Sequence, residues 1–477
     1  GANSNNTAGA NNAGGQVTIE CLGAAAFTAN FTPVQPTDCV APAQGSLGID
    51  LTGDLNGNTN GMEYAIVSGG TFSGSPTFAD ITAAPFTLTS GFGTTGDADG
   101  ETYTVRIRIK YNPGLFIDHT YTLTTPTIRT WTGALSTDWH TDGNWNPACV
   151  PTATDDVKIP DMANDPVISA AAVAKSVHVQ SGAILTNDAS LTVNGSFTFD
   201  AQENGFVNEG TVENNGSLVI GNTTSPGKCG LQNRSTFNNN SGGEIHIDQS
   251  SQVALYNHSG AFTNAAVITL GAMASVGLYG LANQSTFNNN SGGDIRIDRS
   301  SDSGLYNLSG AFTNMADITI GAVASVGKYG FQNLSIFNNN ISGQIAIDNS
   351  NLAGIVNFIA TFTNSGVITI GAVASVGYGI INETNSSFNN NGCSALIKIV
   401  SNSIVYNTGT FNNSGSIIEN ANGSSSVSEN SGTIQNLNGG SFNITGSNTG
   451  TVVTDHGDIW TGCTSTDWPS ARCSGRS

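Results

Sequence analysis

Residues 285–314 read STFNNNSGGDIRIDRSSDSGLYNLSGAFTN; residues 235–264 repeat most of that text, and residues 335–364 keep its pattern. The two Phe of the stretch open a column that runs through Phe237, Phe262, Phe287, Phe312, Phe337, Phe362, Phe388 and Phe411, at intervals of 25, 25, 25, 25, 25, 26 and 23 residues. Two positions after each Phe stands an Asn: Asn239, Asn264, Asn289, Asn314, Asn339, Asn364, Asn390 and Asn413. A further Asn column passes through Asn233, Asn257, Asn283, Asn307, Asn333, Asn357, Asn382 and Asn407. A fixed period of this length with no helical pattern inside it is the signature of stacked coils.

Each unit holds a short apolar alternation, such as Ile245-His246-Ile247 or Ile318-Thr319-Ile320, bounded by Gly, Ser and Asn. Such a segment is a strand with one apolar face, which must be covered by the next coil, about 4.8 Å away if successive strands pair in parallel. The expected fold is all-β, a right-handed parallel β-helix with coils of about 25 residues. Stacked Asn amides carry a donor and an acceptor each, so they suit a buried ladder. Odd and even coils differ: STFNNNSGG begins at Ser235 and Ser285, and GAFTN at Gly260 and Gly310, a double unit of 50 residues.

The chain has 477 residues, 59 of them Gly, with only 10% charged and a formal net charge of −20. Fourteen Lys plus Arg against 34 Asp plus Glu leave no basic footprint for a phosphate backbone, so nucleic acid is excluded as the expected partner. No run of 18 apolar residues suggests a membrane span. The first residue is Gly and no signal peptide is visible, which suggests a processed chain.

In chain order, residues 1–15 are a Gly, Asn and Ala tract expected to be a flexible or donor-like tail. Residues 16–127 read as short strands of an immunoglobulin-like β-sandwich. Within it, Tyr103, Val105, Ile107, Ile109 and Tyr111 alternate with Arg106, Arg108 and Lys110, and Asn112-Pro113-Gly114 is the expected turn. The basic face suits an acidic glycan, although a solvated sheet face is the plainer reading. Two acidic loops, residues 54–60 and 97–101, have the alternating oxygens calcium uses, but neither completes a calcium-loop pattern and ordinary Asx turns are preferred. Calcium in this N-terminal region is the one cofactor considered; otherwise none is expected.

Residues 128–154 contain WTGALSTDWHTDGNWNPACVP, with Trp131, Trp139 and Trp145 within fifteen residues. They read as an aromatic cap on the first coil, whose end exposes apolar side chains and unpaired strand edges. About twelve coils fit residues 155–454 at this period. The motif returns as Trp460 to Trp468, so residues 455–477 are a closing cap or the start of a next module.

The WTG…STDW…NW…DDV.IP pattern, followed by V.V.SGA.LT and F.N.G coils, is similar to repeat-rich secreted surface proteins of Bacteroidota, some of them adhesin-like. The resemblance spans about residues 128–477 and implies export to a cell surface or extracellular matrix. The sorting domain usual at the C-terminus of such precursors is not recognisable here.

Seven Cys are present. Cys463 and Cys473 replace Ala134 and Asn144 of the first Trp motif together, which favours a disulfide between them and an oxidising compartment. Cys21 and Cys39 are paired by the same logic. Cys149, Cys229 and Cys393 read as buried thiols, and no spacing suggests zinc.

Carboxylates suited to catalysis would have to gather on neighbouring coils. Glu244 and Asp294 fall in one outward column and Asp248, Asp298 and Asp348 in another, recurring every second coil, about 9.6 Å apart, with no acid expected between them. No enzyme is therefore expected. Nor does a regular Thr array form, because Thr269, Thr319 and Thr369 alternate with His246, Arg296, Ala346 and Lys398. The expected role is an extracellular structural or adhesive protein whose partner is a second copy, joined head to tail in a fibre, with surface glycans considered as further partners. The rival is a carbohydrate-binding or polysaccharide-degrading β-helix protein.

Overall fold

The structure, a computed structural model, describes residues 27–34, 46–53, 61–69, 75–89, 102–110, 112–122, 127–392, 394–400, 405–419, 429–430, 433–436 and 451–454. The chain forms two compact units, Gly1–Thr127 with Asn146–Cys149, and Ile128–Trp145 with Val150–Ser477. The expected tail (residues 1–15), both acidic loops, and the second Trp motif with Trp460 and Trp468 lie outside the described residues.

The first unit is built from β1 (Phe27–Val34), β2 (Ser46–Gly53), β3 (Met62–Ser68), β4 (Ala79–Asp80), β5 (Phe86–Leu88), β6 (Thr102–Ile109) and β7 (Asn112–Thr122). They form two antiparallel sheets, ordered β1-β2-β5 and β4-β3-β6-β7. Alternation decides which side is apolar: Tyr103, Val105 and Ile107 of β6 are fully buried against Leu47 and Ile49 of β2 in one core. The Tyr121 hydroxyl donates to the Val34 carbonyl at 2.7 Å, tying one sheet to the other. The hairpin reverses earlier than expected. Ile109 already pairs with Asn112, so Asn112-Pro113-Gly114 belongs to β7, and an irregularity at Arg108/Ile109 absorbs the offset.

The second unit is the β-helix. Among the described residues three sheets of 15, 13 and 11 strands run along it, parallel from coil to coil, and eleven coils carry all three strands. One coil shows the plan. Thr286–Asn289 lies on what we call the Phe face, Asp294–Ile297 on the Ile face and Ser303–Asn307 on the Tyr face. Register is in step from coil to coil: Phe262 faces Phe287 and Phe287 faces Phe312, while Ile268 faces Ile295 and Ile295 faces Ile318. Thr236-Phe237-Asn238-Asn239 buries its second and fourth residues, the period of two a strand imposes. The one antiparallel pair among the described residues of this unit is Phe197–Phe199 against Gln202–Asn208.

The Phe column is a stack of rings. Centroids from Phe237 to Phe411 are 4.5–5.1 Å apart, and most neighbours lie within 10° of parallel. Phe337 is the exception, turned 30° from Phe312 and 31° from Phe362. The cause sits beside it: Phe331 occupies the column that Leu281, Leu305 and Ile355 fill on neighbouring coils, and it meets Phe337 edge-on at 4.5 Å. An edge-to-face contact is favourable for two quadrupoles, so the ring tilts toward it.

Both Asn columns are buried ladders. From Asn187 through Asn214, Asn239, Asn264, Asn289, Asn314, Asn339, Asn364 and Asn390 to Asn413, each Nδ2 donates to the Oδ1 of the next coil at 2.7–2.8 Å. The second ladder runs from Asn208 to Asn407 in the same sense at 2.7–2.9 Å. Asn amides also donate to backbone carbonyls, as Asn289 does to Asp317, so the peptide groups at the corners are satisfied without water. The ladders begin before the rings: Leu185 and Val212 stand where later coils have Phe, yet Asn187 and Asn214 are already in place.

Candidate functional site

The Trp segment closes the leading end of the β-helix. β8 (Ile128–Trp131) pairs in parallel with Asp156–Ile159, and Asp138 bridges to Val167. Trp131 and Trp139 are fully buried and Trp145 is 3% exposed, all continuous with the apolar core of the coils. Trp145 meets both other indoles edge-on at 4.9 and 4.7 Å. The Trp131 Nε1 donates to the Asn164 carbonyl and the Trp145 Nε1 to the Trp139 carbonyl. All three indoles are therefore occupied as a plug and present no ring to a partner. The residue that sequence reasoning passed over is Asn144. Wholly buried, it accepts from the Leu135 and Ser136 amides and donates to Ser136 Oγ and the Asp138 carbonyl, which fixes the loop that carries Trp139. Its only signal was its place before Trp145.

The acidic columns differ from expectation in two ways. On the Ile face Val267 stands between Glu244 and Asp294, as expected, but the register adds Asp317 directly beside Asp294 on the following coil. Glu244, Val267, Asp294, Asp317 and Gln344 follow one another in that column. Arg296 pairs with Asp294 at 2.5 Å, and Asp294, Arg296, Asp317, Thr319 and Gln344 line a depression of about 310 Å³. Glu244 and His246 lie 3.3 Å apart lower on the same face. These groups are open to solvent and rich in donors and acceptors, suited to hydroxyl-bearing ligands.

The second column, Asp248, Asp298 and Asp348, does not point into solvent. Asp298 is 8% exposed and Asp348 4%. Asp298 Oδ1 accepts from the Val323 and Ala324 amides, Asp348 Oδ1 from Val373 and Ala374, and Asp248 Oδ1 from Met273. Each carboxylate pins the long turn of the following coil through charge-assisted hydrogen bonds.

The basic face of β6 is neutralised. Arg106 makes a two-pronged pair with Asp118 at 2.7 Å and lies over the Phe116 ring. Arg108 pairs with Glu63 at 2.6 Å over Phe78, and Lys110 with Asp80. Hydrogen bonding from Arg106 holds the Asp118 carboxyl below its ordinary value. Every base the acidic-glycan reading relied on already has an acid.

Near the start of the β-helix, the short strand Phe197–Phe199 lies over the Tyr face. His178 contacts Glu209 at 2.9 Å and both Phe rings, and Arg234 pairs with Asp200 above Phe199. Sequence reading gave no sign of it.

Among the cysteines, Cys229 is free and buried, and burial pushes its thiol up to about 11, so it is not a nucleophile near neutral pH. Cys149 is disulfide-bonded, which corrects its reading as a buried thiol. Cys393 and the expected pairs Cys21–Cys39 and Cys463–Cys473 lie outside the described residues. Among the described residues, no group of three or more His, Cys, Asp or Glu is placed to hold a metal ion.

A family model described as a domain of unknown function, DUF8693, matches residues 130–264. No curated protein and no solved structure matches the chain. The matched stretch begins beside Trp131 and ends at ladder residue Asn264, taking in the Trp plug together with the first coils, which is also how the continuous core joins them.

Proposed function

We propose that the chain is a structural or adhesive protein of a cell surface, non-catalytic, in which the β-helix is a rigid spacer that joins further copies end to end. The observation that carries this reading is the unbroken pair of Asn ladders flanking a ring stack: each coil is locked to both neighbours by directional bonds, which resists bending and sliding. The Cys149 disulfide supports an oxidising, extracellular setting. Because the indoles at the leading end are buried, end-to-end contact uses strand edges, which pair readily with another chain. Unlike ends joined in this way propagate unless a rotation closes them. Electron microscopy and sedimentation of the full chain, and of deletions of residues 1–19 and 458–477, test it. Fibres shortened or lost in either deletion support the reading; a full-length chain that stays monomeric at high concentration overturns it.

A second reading, glycan binding, is favoured by the depression around Asp294, Arg296 and Asp317. The net charge of −20 directs it toward neutral rather than acidic polysaccharides. A glycan screen with Asp294→Asn and Asp317→Asn as controls separates the two: binding lost in these variants supports a lectin-like face, and no binding by the wild type leaves the structural role alone.

A further inference from the structure

Between the Ile and Tyr faces the coils take turns of two lengths. Even coils use eight residues, 221–228, 271–278 and 321–328, or seven, 371–377; odd coils use five, 248–252, 298–302 and 348–352. The longer turns stand out as teeth and the shorter ones leave gaps, so this edge is a comb with a spacing of two coils, about 9.6 Å.

The first tooth carries Thr223 at its tip, and each of the three that follow ends in a large apolar side chain. Met273 is 80% exposed, Val323 74% and Val373 77%. Single exposed apolar residues are ordinary. Here the same place is apolar in three successive double units, and the backbone that carries it is braced from both sides. From the coil before, Asp248, Asp298 and Asp348 take the amides at the tips. From the coil after, Arg299 donates to the Gly271 and Ala272 carbonyls, and Asn349 to the Gly321 carbonyl at 2.6 Å. Gly271 and Gly321 have φ of 73° and 72°, and a Cβ on either would lie 2.1 or 2.0 Å from the backbone of the next coil. The turns are thus held tightly against their neighbours while their tips stay exposed among the described residues. In a protein with a net charge of −20, residues 271–277, 321–327 and 371–377 carry no charge at all.

We propose that this comb is an interface with a second copy of the chain, the teeth of one entering the gaps of the other. A partner must match a spacing of about 9.6 Å over three teeth to engage all of them, and this chain has that repeat. The three tips alone bury less than the ~1,000 Å² of a stable complex, so the gaps must be covered too, which meshing achieves and tip-to-tip contact does not. Symmetry then fixes direction. A two-fold axis parallel to the β-helix would bring teeth to the same height and make them collide. A two-fold axis perpendicular to it lets them interleave, so the two β-helices run antiparallel, in a closed pair rather than a fibre. Overlap of the three apolar teeth puts the axis next to Val323, so that Val323 neighbours the Val323 of the second copy and Met273 neighbours its Val373. This lateral contact is independent of the proposed end contacts and survives their deletion.

The experiment is sedimentation equilibrium and oxidative cross-linking of the full-length chain. Wild type is expected to dimerise, and the triple variant Met273→Asp, Val323→Asp, Val373→Asp to dissociate at least tenfold more readily, about 1.4 kcal/mol, with an unchanged melting curve because the tips are exposed. Val323→Cys alone is expected to give a covalent dimer; Met273→Cys alone is not, but does so when mixed with Val373→Cys. Deletion of residues 1–19 or 458–477 is expected to leave all this intact. A monomeric wild type, a dimer indifferent to the triple variant, or Met273→Cys cross-linking to itself as readily as Val323→Cys overturns the proposal, as does a monomer that binds lipid vesicles through the same three residues.

Discussion

The inside and the outside of the same coils obey different periods. Inside, the coils from Asn208 to Asn413 are equivalent: one Phe, or a smaller apolar residue, and two Asn at fixed places. Outside, the period is two coils, with long and short turns, pinned and pinning residues, in alternation. An interior amide bonds the coil below and the coil above, so no coil within the ladders can omit it. A turn has only to satisfy its own peptide groups and those of one neighbour, which leaves room for two solutions.

The largest expected effect breaks the inner column. Phe312→Ala removes a fully buried ring between two others and is expected to destabilise the β-helix by about 3–5 kcal/mol, read from denaturant unfolding. A loss under about 1 kcal/mol would mean the stack is not a packed core. Next comes the ladder: Asn289→Leu strips Asn264 of its acceptor and Asn314 of its donor, for about 1–3 kcal/mol. Thermal unfolding that does not move would show that these amides have access to water.

The outer alternation is probed by Asp348→Ala, which leaves the Val373 and Ala374 amides without their acceptor and is expected to cost about 1–2 kcal/mol. The sharper readout is hydrogen exchange. Protection should fall at residues 371–377 while the ladder amides of the same coil keep theirs, and loss across the whole coil would erase the distinction between inside and outside.

Smallest is the acid limb. Hydrogen bonding from Arg106 depresses Asp118, and hydrogen bonds from the His140 amide and the Thr141 hydroxyl depress Asp138. A carboxyl whose folded value lies below the ordinary 3.8 contributes stability above that pH and loses it as pH falls through the folded value. Melting midpoints are expected to decline slightly below about pH 4, less so in Asp118→Asn for the first unit. Identical acid profiles for wild type and variant would remove Asp118 from the account. Separately, peptide mapping of unreduced protein should find Cys149 in a disulfide and Cys229 as a thiol; Cys149 recovered free would withdraw the support it lends to an oxidising setting.

What was legible in the sequence follows the same division. The Phe and Asn columns are visible because stacking forces identical residues into identical intervals. Their extension back to Asn187 and Asn214 is not, because Leu185 and Val212 break the Phe marker while keeping its burial. The direction of Asp298 and Asp348 could not be read, since a residue just past a strand faces in or out according to the turn that follows. Asp317 escaped notice because odd and even coils differ in spacing, and only register shows it beside Asp294. Asn144 belongs to no repeat within the β-helix, so its four hydrogen bonds had no periodic trace.

The ladders also give the β-helix an electrical direction. Amides that donate a second time to backbone carbonyls have their orientation fixed, and in both ladders every oxygen looks toward the Trp plug and every nitrogen away from it. Ordinarily parallel strands place peptide dipoles in alternation along such an axis, and they cancel. These side-chain dipoles add. Turning a single coil over would set donor against donor on one side and acceptor against acceptor on the other, so the stack is a vector, and any coil grafted into it has to be inserted the right way up.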